Sequence, residues 1–237
     1  MHAAEGLTLA GYGGEVRSCL NPKLATEQDD RHRCGLAREL VRAGDLSKVA
    51  VMLDVLAKQD SYGHVHACES LFKCFRSGDG RRLRAAMRRT DSPTLQMMAA
   101  AALGRCGSPE AKMLLREKLK SDDHEVQRIA AWVLGAIGDA SDIPQIRSNV
   151  KRTSDPLARA FGEHALAQLG DPEGRAALLR NLRSGDPAVR TYAANSAGEA
   201  RVASAAAALI ALLDDPQPDA QIRAAQSLLA LLQAEES

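Results

Sequence analysis

One phrase recurs seven times along this chain, and a chain that repeats itself at a short fixed period folds by stacking like units. The phrase is clearest as VQRIAAWVLG, from Val126 to Gly135. It returns as LQMMAAAALG from Leu95 to Gly104 and as VRTYAANSAG from Val189 to Gly198. Looser copies are ARAFGEHALA from Ala158, IRAAQSLLAL from Ile222 and GHVHACESLF from Gly63, and the first copy ends in ARELVRAGD at Asp45. Aligning the penultimate residue of each phrase gives Leu40, Leu71, Leu103, Leu134, Leu166, Ala197 and Ala230, at intervals of 31, 32, 31, 32, 31 and 33 residues. A unit of this length holds one helix pair, which cannot cover its own apolar side and must bury it against neighbours.

The residues around each phrase give the local grammar. Turns precede it at Asp91-Ser-Pro93, Asp122-Asp-His124, Ser154-Asp-Pro156, Gly185-Asp-Pro187 and Asp214-Asp-Pro216. Asp or Ser caps the free N–H groups of a helix start, and Pro is tolerated in the first turn. Gly107, Gly138 and Gly170 stand where a left-handed residue would close the helix. A partner helix follows, for example over Ala111–Leu119 or Ala176–Leu182. Small residues at Ala130-Ala131, Ala193-Ala194 and Gly135 are expected to let adjacent helices approach closely, and the Asp of each turn to tie it to the next. Aromatic residues are only 3% of the chain, and a core of Ala and Leu suits packed helices better than a sandwich or barrel. The fold class predicted is all-α.

No stretch approaches the roughly 20 apolar residues of a membrane span. Met1 to Leu20 lacks a basic region followed by an apolar one, so no secretory signal is expected there. Five cysteines without CxxC spacing fit reduced thiols and a cytoplasmic location.

The phrase resembles the HEAT-like repeat of the phycobilisome-lyase type, D-x-x-P-x-V-R-x-x-A-A-x-A-L-G, over residues 29–233. The resemblance implies a right-handed α-α superhelix of about seven helix pairs. The expected organisation is an irregular lead-in over residues 1–25, with a short helix near Glu15–Leu20, and a single solenoid over 26–237. Copies 1, 2 and 7 depart most from the pattern, as capping units do. Such repeats occur in scaffolds, bilin-lyase subunits, iron hydroxylases and DNA glycosylases. The related deoxyhypusine hydroxylases carry His-Glu pairs six residues before the Leu-Gly. Here those places hold Arg128-Ile129, Met97-Met98 and Thr191-Tyr192, and the one His-Glu, His124-Glu125, sits at a helix start. That diiron site is absent from the sequence.

The resemblance also implies that one helix of each pair lines a concave surface. Two residues before each aligned position stand Arg38, Glu69, Ala101, Trp132, His164, Asn195 and Leu228, and four earlier stand Cys34, Val65, Met97, Arg128, Ala160, Thr191 and Ala224. A column buried in every copy would be uniformly apolar. The mixture in the first column therefore reads as solvent-facing, and Arg38, Glu69, Arg128, Trp132, His164 and Asn195 form a candidate partner-binding strip, with ordinary solvated variation as the alternative.

Charge is segregated. Residues 73–120 carry twelve Lys/Arg against four acids, densest in RRLRAAMRR. Leu83 and Met87 point inward there, while Arg81, Arg84 and Arg88, flanked by Arg82 and Arg89, could face phosphates or an acidic protein. A net charge of +1 and the absence of interleaved aromatics disfavour dedicated nucleic-acid binding. His64, His66 and Cys68 share helix faces near Cys34 without matching an established metal spacing, so packed side chains are the simpler reading. No nucleophile motif, phosphate loop or carboxylate pair is present. The expected function is a non-catalytic interaction or scaffold module without cofactor, whose partner is another protein. A bilin-lyase-type accessory subunit and polyanion binding through Arg81–Arg89 are the alternatives.

Overall fold

Capping starts the helices where the turns predict. Asp29, Asp123, Asp155 and Asp186 each accept backbone N–H bonds from the first turn of the helix that follows, as Asp123 does from Glu125 N at 2.8 Å and Asp155 from Ala158 N at 2.7 Å. The computed structural model describes residues 2–235, and Met1 and residues 236–237 lie outside it. Within them are fifteen α-helices and no strand. The seven phrases form α3 (Asp30–Arg42), α5 (His64–Lys73), α7 (Pro93–Arg105), α9 (His124–Ile137), α11 (Pro156–Gln168), α13 (Pro187–Glu199) and α15 (Pro218–Glu235). Before them in turn come α2 (Gly13–Thr26), α4 (Val49–Leu56), α6 (Arg81–Met87), α8 (Pro109–Lys118), α10 (Ile143–Arg152), α12 (Pro172–Asn181) and α14 (Ala206–Ala211), with α1 (His2–Leu9) at the start. The fold is an all-α solenoid of helix pairs. Among the described residues, no helix is long and apolar enough to cross a membrane.

Helix ends repeat as faithfully as helix starts. The residue four after the aligned position takes a positive φ at Gly44 (100°), Phe75 (56°), Gly107 (96°), Gly170 (86°) and Arg201 (49°). One residue further on, the N–H returns to the aligned carbonyl: Asp45 to Leu40, Arg76 to Leu71, Ser108 to Leu103, Asp171 to Leu166 and Val202 to Ala197. This is the six-residue Schellman closure, adopted even where the left-handed residue is not glycine. Gly138, expected to be left-handed, is instead extended at φ −74°, ψ −171°. There the buried Asp142 reaches back to the Asp139 N–H in a capping box and starts the next turn directly.

Two further expectations are corrected. Residues 2–26 are not an irregular lead-in with one short helix; they form α1 and α2. The glycines at 13 and 14 mask the signal locally, but Val16 and Leu20 bury against Leu36, Leu40 and Ala43, making α2 the partner helix of the first copy. The seventh copy also sits two residues earlier than its phrase suggests. Buried Ala220, Ala224 and Ser227 match Val189, Ala193 and Ser196 at intervals of 31. Gln221 Nε2 donates to the Asp215 carbonyl at 2.7 Å just as Arg190 Nη1 does to Ser184 at 2.8 Å. The aligned residue is Leu228, not Ala230.

The helices cluster into two compact units, Met1–Leu115 and Arg116–Ser237. In the first unit, α3 packs on α5 and α5 on α7, around Leu40, Leu71, Leu83 and the fully buried run Ala99–Ala102. In the second, α9, α11, α13 and α15 pack in succession. Small residues set the spacing there. A Cβ on Gly135 would lie 2.8 Å from Ala165 Cα, and one on Gly198 would lie 2.8 Å from Ser227 Cα. Buried acids tie neighbouring copies of this unit together. Arg116 Nε donates to Asp142 at 2.6 Å, Arg147 pairs with Asp171, and Arg190 makes two bonds to Asp215 at 2.8 and 3.2 Å. Forked guanidinium–carboxylate bonds fix orientation as well as attraction.

Candidate functional site

The predicted strip is mixed once side chains are placed. In the first unit, Arg38 is half-buried and donates through Nε to the buried carboxylate of Glu39 at 2.7 Å. Glu69 accepts from Lys73 Nζ at 2.6 Å. Burial pushes the Glu69 carboxyl up, but Lys73, Arg38 and His66 outweigh it and hold the group below its usual range. Ala101 is fully buried.

In the second unit, Trp132 and Asn195 are half-buried, and Arg128 pairs with Glu125 while lying 5.4 Å from the centroid of the Phe161 ring. Tyr192 is exposed, with its ring 4.7 Å from that of Phe161. His164, expected to face solvent, is only 3% exposed. Phe161 and the Asn181 amide, 3.3 Å from Nε2, enclose it, and burial drives its pKa down to about 3. The seventh member of the column becomes Gln226, which is also buried.

The basic helix α6 turns Leu83 and Met87 inward as expected. Most of its guanidinium groups meet neighbours. Arg81 pairs with Asp79 at 2.6 Å, Arg82 donates to the Leu53 carbonyl at 2.8 Å, and Arg84 to the Asp79 carbonyl at 3.0 Å. Arg89 makes two bonds of 2.8 Å to Asp91, and Arg88 is exposed.

The early histidines and cysteines are dispersed. His64 is buried with Nε2 3.1 Å from the Lys58 carbonyl oxygen. Burial raises the Cys68 thiol and takes that of Cys34 up to about 12, which disfavours the thiolate that binds metal. Among the described residues, no three His, Cys, Asp or Glu side chains are grouped to hold a metal ion.

The structure brings Arg38 and His66 together at a feature the sequence reading missed, a groove of about 670 Å³ among α2, α3 and α5. Lys23 and Thr26 line it from α2, Glu27 from the turn, Arg31, His32, Gly35, Leu36 and Arg38 from α3, and His66 from α5. Gly35 stands five residues before the aligned Leu40, where later copies carry His66, Met98, Ile129, Phe161, Tyr192 and Arg223. A helical glycine is less favourable than alanine by about 0.8–1.0 kcal/mol, and this one lines the groove. That glycine, at a position otherwise large, was the readable signal. Lys23 and Thr26 had none, because α2 was not expected. Burial, the strongest influence on His66, holds its imidazole pKa below the ordinary value, against the pull of Glu69.

A family model described as HEAT repeats matches residues 80–167 and again 143–229, more than half of the chain. The chain belongs to the HEAT-repeat family. The matched span starts after the two copies that build the groove. No curated protein matches the HEAT-repeat chain in sequence. Among solved structures it is similar to an engineered protein of a structural genomics consortium, at 21% identity over 92% of this chain and 97% of that one, with a TM-score of 0.38. It is also similar to human deoxyhypusine hydroxylase in complex with glycerol, at 18% identity over 96% and 99%, TM-score 0.40. A second engineered protein is similar at 21% identity over 98% and 77%, TM-score 0.40. Likenesses at this level carry no argument about function.

Proposed function

We propose that this HEAT-repeat protein is a non-catalytic interaction module that holds another protein against its phrase helices. HEAT repeats generally mediate protein–protein interaction or scaffolding. The observation that carries the reading here is the phrase helices of the second unit, where Arg128 and Tyr192 flank Phe161 and where Trp132 and Asn195 also keep accessible surface. Aromatic and Arg side chains on a rigid helical support are the residue types that dominate binding energy at protein interfaces. The finer bilin-lyase reading rests on the repeat phrase alone, and polyanion binding through α6 is weakened by the local acids and carbonyls its arginines already meet.

A photo-crosslinking residue in place of Tyr192 tests this in cells of the source organism. A discrete adduct whose yield falls on Trp132→Ala supports the module. An adduct pattern insensitive to both Trp132→Ala and Asn195→Ala, or none at all, overturns it.

A further inference from the structure

We propose that the groove among α2, α3 and α5 binds an extended, carboxylate-rich segment of a partner protein. The proposal rests on the interaction-module reading only in taking the occupant to be a protein; the groove itself lies in the other unit.

Three lining side chains, Lys23, Arg31 and Arg38, are basic against one lining acid, Glu27, and of the three Arg38 already meets the buried Glu39. Among the described residues, neither Lys23 nor Arg31 has an ion-pair partner within 4.0 Å. Arg31 instead lies 4.3 Å over the Tyr62 ring, whose hydroxyl donates to Asp29 at 2.9 Å, so the guanidinium is placed without a direct ion pair.

The acids nearby are already engaged. Glu27 accepts from the N–H groups of Gln28 and Asp29 at 2.9 Å each, Asp29 caps α3, and Glu69 is held by Lys73. Complementary charge of this kind selects the partner and its register.

The spacing favours a chain over a compact anion. Arg31 and Arg38 are seven residues apart on α3, or about 10.5 Å along the axis at 1.5 Å per residue. In an extended segment of the polyproline II type, with three residues per turn and a rise of about 3.1 Å, carboxylates three residues apart share a face and span about 9 Å. The groove's 670 Å³ also far exceeds what one ion needs, the share of a liquid water being about 30 Å³. No Phe, Tyr or Trp lines it, which removes the platform on which the bases of a single-stranded nucleic acid would stack.

The test uses the full chain and fluorescence anisotropy with three labelled peptides of equal length on a Ser/Gly background. One carries Glu at every third position, one the same number of Glu in a block at one end, and one Lys in place of Glu. The spaced Glu peptide is expected to bind more tightly than the blocked one and to weaken as salt rises from about 50 to about 500 mM; the Lys peptide is expected not to bind. Arg31→Ala is expected to weaken the spaced peptide at least about tenfold. Gly35→Leu, which adds a side chain to the lining without altering charge, is expected to do the same. Arg38→Ala removes one of the two arginine partners of the buried Glu39, leaving Arg42, so the Arg31 and Gly35 variants, with thermal melts unchanged or raised, carry the decision.

Equal binding of all three peptides, or acidic-peptide affinity untouched by both variants, overturns the proposal. Displacement of the peptide by inorganic phosphate at equal or lower concentration overturns it in favour of a compact-anion site. Failure here with a Trp132-sensitive adduct at Tyr192 sinks this inference alone. Peptide binding with no such adduct sinks the second-unit reading and leaves the groove standing.

Discussion

The same register position behaves oppositely in the two units. Five residues before the aligned position, the first unit has Gly35, His66 and Met98, and its first two copies leave an open cationic groove. The second unit has Ile129, Phe161, Tyr192 and Arg223 there, and the Phe161 and Tyr192 rings meet, with Arg128 over Phe161. The helix starts and ends around these residues are nearly the same in both. Capping and closure therefore build a constant frame, and the side chains carried on it make one face a cationic groove and the other a partly aromatic surface.

The largest test of this contrast is pH. His164 is buried in the second unit with its pKa lowered from an ordinary 6.5 to about 3 by burial. Between those values the unfolded chain binds a proton that the folded one excludes, so stability is complete above pH 6.5 and is lost as pH falls toward 3. At 1.36 kcal/mol per pH unit, acidification from pH 7 to pH 4 should remove about 3 kcal/mol. Urea unfolding followed by the fluorescence of Trp132, the sole tryptophan and itself in the second unit, reads this directly. His164→Phe should flatten the dependence; an unchanged slope would show that His164 is not the titrating group.

Next in size is Gly135→Leu. The new side chain meets Ala165 Cα, so overpacking should cost about 2 kcal/mol despite the better helix propensity. The loss should appear in the Trp132 signal, while hydrogen exchange in α3 and α5 is spared. Uniform loss across both units would instead mean that they unfold as one.

The two non-glycine left-handed residues, Phe75 and Arg201, give the smallest effects, one in each unit. Arg201→Gly relieves a backbone strain of about 1–2 kcal/mol and should raise stability by about 1 kcal/mol after the entropy of the freed chain. Phe75→Gly relieves the same strain but gives up the stack with Arg105, 3.7 Å from the ring centroid, so its net change should stay within about 0.5 kcal/mol. Thermal melts of the two variants side by side measure what that stack contributes.

Much of the frame was legible because its signals are local. Asp123, Asp155 and Asp186 cap helices two or three residues away, and Gly107 and Gly170 close them within six. The exceptions are equally physical. Gly138 is extended because Asp142 caps the following turn, and Phe75 and Arg201 take a glycine's place because closure on Leu71 and Ala197 outweighs their strain. The candidate site was less legible. Of the proposed strip, Trp132, Asn195 and Arg128 keep accessible surface, whereas His164 does not, since the identity of a side chain does not say whether a neighbouring ring covers it.

By itself the sequence determined the helix-pair repeat, its period near 31 residues and the capping of its turns, all of which act over a few residues along one chain. Only the tertiary structure decided that the glycine-rich start folds as a helix on Leu36 and Leu40, that His164 is interior, and that Lys23 and His66 line one groove with Gly35. Each of those outcomes depends on which side chain from another helix arrives at a position, and that is settled by packing at long range in sequence.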